Sequence, residues 1–581
     1  MQDKIITTFC ILDDLLKILH HRDDPQAKAP DSEILTIAIV ACQEFAGNMR
    51  KALQWVKALH LFSFVPSESR FNRRLHRLMP LLHALAPLLR AVWESLEACT
   101  DYALDTFPMP VCENIRANRV VLPPTSPPHP GEASSGETTA QPILLVGYTI
   151  DAPPNLIAQA KWQRLANLGG WVCRLELRST NAVGLRLQFQ GRLDSGITIQ
   201  IDHPNGSVVL PVRAYPDEEG YWWAPTLWYS DTIGVEIFVP ETVDAQKLPE
   251  LVAVGLMYQG IEPDFAPAEL GCHRDVTCFP GYNDLRAGVA RILYPEGGGW
   301  FLCTGQLMNR TGTDFAPIFS TAEHCIDTQA SAHGMEAYWF YQTATCNGTP
   351  PNLNSVPRTT GALLLKQHFQ SDWTLLGLYE PPPGTYYFGW DSNNWASGNS
   401  GSAVHHPGGT FKRVTFFTTD GTATGCSRSL WSSQVSVGNG TIEGGSSGSA
   451  GIDNAFRMRG TCACAEVDSN GNWRCPTAGN PVWVGWGRLD LAYATVRWYI
   501  WEMANPTYVD RAVAGDPGNE GSTERGTSAN PFNTVYEGTF CVPSNGIVRI
   551  VPGNYNERFR VWRPMRLERE GASGVVRIGA P

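Results

Sequence analysis

TIEGGSSGSAGI, residues 441–452, decides how the rest of the chain is read. The small residues at 444–449 let the backbone turn tightly between strand-like flanks. In such a turn the N–H groups of Gly445 and Ser447 can converge on one oxygen, the donor pair a tetrahedral oxyanion needs. Ser447 is then a candidate nucleophile. A phosphate-cradling loop would carry Lys after its glycines, and none is present. The nucleophile elbow of an α/β-hydrolase fails too, because Gly448 directly follows Ser447. A Gly/Ser linker is disfavoured by the apolar residues on both sides.

Upstream, QHFQSDWTLLGL at 367–378 places Asp372 at the head of an apolar strand. A carboxylate buried there can accept an imidazole N–H and fix its tautomer, although an Asp before an apolar run is commonly a turn residue. Further upstream, CTGQLMNRTGTDFAPIFSTAEHC at 303–325 ends a strand in Thr-Ala-Glu-His-Cys. His324 supplies the side chain that accepts a hydroxyl proton most readily near neutral pH. Cys303 and Cys325 bracket the segment, and a bridge between them would pin the loop that bears His324. Each motif alone is modest. His324, Asp372 and Ser447 in this order form a candidate catalytic triad that requires no metal and no organic cofactor.

Taken together, these segments resemble a trypsin-like serine peptidase, most closely the bacterial lysyl endopeptidase branch. The resemblance spans about 265–500 and includes AYWFYQTATC at 337–346, Gly389-Trp390-Asp391 and Ala403-Val404-His405-His406-Pro407. It implies two six-stranded β-barrels with the triad in the cleft between them. It also implies three disulfides: Cys303 with Cys325, Cys278 with Cys346, and Cys272 with either Cys464 or Cys475. Bridges of this kind contribute about 2–4 kcal/mol each. Cys462, Cys464 and Cys475 could instead bind zinc, but a fourth ligand of suitable spacing is missing. The pocket for the residue preceding the scissile bond departs from the branch. Thr441 holds the pocket-base position without a charge, and Asp468 and Asp490 are candidate acids by position. A Lys or Arg preference would need one of them, since a buried ammonium requires a carboxylate partner.

Outside this region the patterns change. Residues 143–263 alternate apolar and polar residues between turn signals, as a small β-sandwich does; their place ahead of a protease suggests a pro-region or inhibitory and folding domain, and the pattern fits a carbohydrate- or protein-binding sandwich equally well. Residues 501–581 resemble the first coils of a parallel β-helix, too short to bury its own faces. The Pro- and Ser-rich stretch 120–142 reads as an unstructured linker. Residues 1–119 are helical in period, with Asp31 or Ser32 as a candidate N-cap. Their RKALQWVK and SRFNRRLHRL segments, and YALDTFPMPVCENIR, resemble the front of a DDE-type insertion-sequence transposase. That likeness would make Asp105 the first metal-binding carboxylate. One acid without the remaining sheet cannot hold two ions, so the reading is a truncated fragment without transposition activity. The basic segments fit a solvated helix face as well as a DNA-binding one.

A chain of 581 residues exceeds one core, and the predicted fold is multidomain and mainly β. The net charge of -11 gives no whole-chain reason to expect nucleic acid or an anionic membrane as partner. Most of the 15 cysteines fall from Cys272 to Cys541, which points to an extracellular protease module. The N-terminus breaks its apolar run with Asp13, Asp14 and Lys17 and does not read as a signal peptide. Maturation by cleavage near Leu270-Gly271 is expected. The predicted function is a serine endopeptidase acting on proteins or peptides. The alternatives are an inactive protease-fold binding protein and a DNA-binding transposase remnant.

Overall fold

The computed structural model divides into two compact units, Met1–Ile115 and Arg116–Pro581. It describes scattered positions in 9–78, then 118–121, and 139–579 apart from short gaps, the longest at 260–269 and 513–523.

In the first unit, the helix Asp31–Phe45 is buried all round over 31–41, where Ile34, Leu35, Ala38 and Ala41 supply its apolar core. Asp31 is the first helical residue rather than the cap, and it pairs with Arg74 at 2.6 Å. The helix Met49–Leu59 is amphipathic, with Ala52, Leu53 and Val56 buried and Lys57 exposed. Asp105 lies outside the described residues.

The second unit is mainly β. Residues 143–257 form two facing sheets. One is ordered Asn118–Val121, Gly170–Arg178, Thr232–Pro240, Thr198–Asp202, Val209–Pro211. The other contains Gly184–Gln190, Glu250–Met257 and Leu144–Asp151. Leu175, Leu187, Phe189, Ile201, Ile237 and Val254 fill the space between them. Alternation of side chains along each strand creates this core, because one face of each sheet meets the other.

Two features correct the sequence reading. The sandwich is not separated from the barrels: Leu144–Asp151 pairs antiparallel with Glu250–Met257 on one side and with Gly299–Leu307 on the other. The stretch 120–142 is not wholly unstructured either. Asn118–Val121 joins the first sheet in parallel with Gly170–Arg178, and Thr139–Ala140 pairs with Met458–Glu466.

Beyond the shared strand the chain builds two barrels. In the first, the ladder runs Arg358–Thr360, Glu336–Trp339, Val289–Glu296, Gly299–Leu307, Ile318–Thr321, Trp373–Leu378, Ala362–His368. Gly361, at φ +74°, links the two ends, so the sheet closes on itself; a Cβ there would meet the Tyr379 ring at 2.6 Å. The second is a closed ring of Ser400–His405, Arg413–Gly425, Arg428–Val435, Val482–Gly487, Met458–Glu466 and Ala450–Asp453. The helix Leu489–Ile500 leads to a tail of short parallel strands, Thr507–Val509, Ile547–Ile550 and Arg566–Arg569. Phe540 and Val548 of this tail share a core with Trp373 and Leu375, so it leans on the first barrel. Among the described residues no helix is long and apolar enough to cross a membrane.

A buried polar network joins sandwich to barrel. Arg186 donates to the carbonyls of Ala224 (2.8 Å) and Gly334 (2.6 Å) and lies 3.8 Å from Glu336. Glu336 also pairs with Arg358 at 3.0 Å and accepts from the Thr226 hydroxyl at 2.6 Å. Nearby, burial pushes the Glu380 carboxyl up to about 7, against the opposing pull of Arg213. A carboxyl raised in the fold stabilises it below the unfolded value, and that contribution is lost as pH rises through about 7. Glu380→Gln is therefore expected to be neutral near pH 4.5 and stabilising by roughly 2–3 kcal/mol at pH 8. Denaturant midpoints of both proteins at the two pH values check this; a variant less stable at pH 8 would contradict it.

Candidate active site

His324 follows the strand Ile318–Thr321 in a turn closed by the Cys325 and Ile326 amides, both donating to Ala322 O. The Cys303–Cys325 bridge ties this turn to Gly299–Leu307. Asp372 is wholly buried and sits at φ +51°, the left-handed region that short polar side chains tolerate. This residue reverses the chain from the Phe369–Ser371 turn into Trp373–Leu378, and its own carbonyl accepts from the Thr461 hydroxyl at 2.7 Å.

The loop of Ser447 depends on both barrels. Gly445 and Gly448 have φ of +91° and +79°, and a Cβ on Gly448 would come within 2.1 Å of the Thr321 hydroxyl. No other residue type fits that crossing. The Thr304 N–H donates to Ser447 O at 2.8 Å and its hydroxyl to Gly445 O at 2.9 Å. Gln306 donates to Gly448 O at 3.1 Å, while the Ser446 hydroxyl meets His405 Nδ1 at 2.8 Å. First-barrel side chains thus hold a second-barrel loop in place.

These elements bring the three predicted side chains together. His324 Nε2 lies 2.6 Å from Ser447 Oγ, and His324 Nδ1 lies 2.7 Å from Asp372 Oδ2. The other carboxylate oxygen accepts the His324 main-chain N–H at 2.9 Å, which fixes the ring's base as well as its edge. Such an arrangement can pass a proton from hydroxyl to imidazole while the carboxylate holds the tautomer. The N–H groups of Gly445 and Ser447 point at one oxygen. That oxygen is the carbonyl of Pro142, at 2.8 and 3.2 Å.

The cysteines resolve into Cys303–Cys325, Cys278–Cys346, Cys272–Cys475 and Cys426–Cys464. Cys475, not Cys464, is the partner of Cys272, and Cys426 was not foreseen as a partner. The zinc alternative falls, because two of its three cysteines are oxidised and the third, Cys462, is a buried thiol whose pKa burial pushes well above the ordinary value. Cys303, His324 and Cys325 lie close enough to hold an ion, but their sulfurs are bonded to each other and offer no thiolate.

The pocket candidates fare differently. Thr441 is buried and its hydroxyl donates to Arg474 O at 2.9 Å. Asp468 accepts the N–H groups of Asn470 and Asn472 in its own turn, and Asp490 opens the helix Leu489–Ile500 and pairs with Arg488. Both acids are committed locally. A further acid, not singled out in the sequence, is Glu466, which is in register with Thr139 and is bound by Arg474 at 2.7 Å and by the Trp483 N–H at 3.0 Å. Only its place at the end of a strand following the nucleophile could have flagged it.

The family model for the C-terminal domain of lysyl endopeptidase matches residues 268–472, and that for the N-terminal domain of the same family matches 146–252. A lysyl endopeptidase of Pseudomonas aeruginosa is 31% identical over 266 residues, covering 41% of this chain and 56% of that protein. The chain therefore spans little more than half of the curated relative it matches. Its middle region is lysyl endopeptidase-like in sequence. Among solved structures, the active form of the Rv3671c protease from M. tuberculosis is 14% identical with a TM-score of 0.26, covering 40% of this chain and 92% of its own. The HtrA-type protease AlgW with a tripeptide is 16% identical, also at 0.26, covering 37% and 62%.

Proposed function

We propose that the double barrel is a serine endopeptidase. The observation that carries this reading is the chain of contacts from Asp372 through His324 to Ser447, beside two amides aimed at a single carbonyl oxygen. Ser447 attacks the scissile carbonyl while His324 takes its proton, Asp372 orients the ring, and the Gly445 and Ser447 amides stabilise the oxyanion. The imidazolium then protonates the leaving amine, and water releases the acyl group through the same base. The substrates are proteins or peptides. Four disulfides in the barrels suit an oxidising, extracellular setting.

Prolonged incubation of the full chain with a fluorophosphonate is expected to label Ser447, with no labelling in Ser447→Ala. A folded protein that stays unlabelled and shifts DNA would instead favour the transposase remnant.

The family likeness points to a basic residue before the scissile bond. A second reading is favoured by Thr441, which carries no charge, and by Glu466, which Arg474 already neutralises. Glu443, two residues from Thr441, is hydrogen-bonded to His273 at 3.0 Å, so a desolvated ammonium would have to compete for each of these described carboxylates. We expect neutral side chains to be preferred over Lys in a peptide-library cleavage profile, and a dominant Lys signal would overturn this.

A further inference from the structure

The cleft of this chain is already filled by one of its own segments. Thr139 and Ala140 pair antiparallel with Glu466 and Ala465, on the strand that follows the Ser447 loop. Two residues on, the buried Pro142 delivers its carbonyl to the Gly445 and Ser447 amides. Directly after that, Leu144 and Leu145 pair antiparallel with Leu302 and Phe301, beside the Cys303–Cys325 bridge that carries His324. Between them Ile143 packs against the first-barrel core, and a Cβ on Gly444 would lie 3.2 Å from its carbonyl.

We propose that residues 139–145 are a built-in pseudo-substrate that blocks the Ser447 site, and that they mark out how a true substrate binds: as an extended strand, paired by main-chain bonds to Ala465–Glu466 before the scissile bond and to Phe301–Leu302 after it. This rests on the peptidase reading above. Three separate contacts agree on one register, and a peptide placed at random would not satisfy the amides and both strand edges together. Pro142 thereby stands where the acyl residue of a substrate would stand. Main-chain recognition on both flanks suits an extended stretch of polypeptide.

The segment and the sandwich act as one inhibitor. Leu144–Asp151 continues without interruption from the cleft into the sandwich sheet, so the pseudo-substrate is held in the site at high effective concentration. Substrate or probe must wait for the segment to leave, and the apparent rate falls by the fraction of time the cleft is open.

Two variants of the full chain test this. Thr139→Cys with Glu466→Cys places thiols at directly opposed strand positions, where Cβ atoms lie about 4.5–5.5 Å apart. A 139–466 cross-link is expected under mild oxidation, and its absence from folded protein overturns the occupancy whatever the state of Ser447. Ala140→Pro strips a main-chain N–H from a segment whose pairing with Ala465–Glu466 spans only two residues, and sets a ring against that edge. It is expected to raise the rate of fluorophosphonate labelling of Ser447 by about tenfold or more. Equal, measurable rates for parent and Ala140→Pro overturn the blockade. The cross-link alone decides occupancy, whereas absent labelling in both proteins would sink the peptidase reading itself.

Discussion

Asp372→Asn is expected to slow labelling and peptide hydrolysis by about 10⁴-fold while leaving the fold and KM nearly unchanged. The carboxylate receives two N–H groups from one residue, the ring Nδ1 at 2.7 Å and the main-chain amide of His324 at 2.9 Å. An amide in its place would still accept one of them, but its NH₂ would face Nδ1 and drive the ring proton to Nε2. The imidazole nitrogen 2.6 Å from Ser447 Oγ would then carry a hydrogen and could not take another. Because pseudo-substrate occupancy is the same in both proteins, comparing full-chain labelling rates isolates the chemical step. A variant within tenfold of the parent would show that the pair does not act as a base.

The second large effect concerns stability. Burial alone would raise the Glu336 carboxyl, yet Arg358, Arg186 and the hydrogen bonds from Thr226 and Tyr338 hold it below the ordinary range. It is wholly buried and serves guanidinium groups on both the sandwich and the barrel. Glu336→Gln keeps the shape and leaves two cations without their counter-charge. Removing one partner of a buried pair typically costs about 3–5 kcal/mol. Denaturant unfolding of the full chain should show a loss of that size, and a change under about 1 kcal/mol would mean that water reaches the cluster.

The three side chains of the candidate triad could be singled out because each sits in a local motif. Thr-Ala-Glu-His-Cys, Ser-Asp-Trp and Gly-Gly-Ser-Ser-Gly-Ser each carry a turn, a strand and a functional atom within a few residues. The helix from Asp31 and the period-two strands of the sandwich were legible for the same reason, since a repeat is a local signal. Long-range pairing leaves no such trace. Thr139–Ala140 is too short to show a period, and nothing in a Pro- and Ser-rich stretch announces that its end will meet residue 466. Nor does Leu144–Asp151 reveal that both its edges are taken. Cys426 escaped because the family likeness offered only Cys464 or Cys475 for Cys272; once Cys475 takes that place, Cys464 is left for a partner on a neighbouring strand end. Glu466 escaped because its importance lies in what sits opposite it.

A strand whose two margins are both zipped leaves no open border along the seam between its neighbours. Take Leu144–Asp151 away and the row of main-chain groups along Gly299–Leu302 becomes a sticky seam, able to recruit any extended polypeptide, including a sister molecule. The liberated barrel would then face a choice between feeding and clumping, decided by how much unfolded protein surrounds it. Keeping that seam closed protects the molecule from itself.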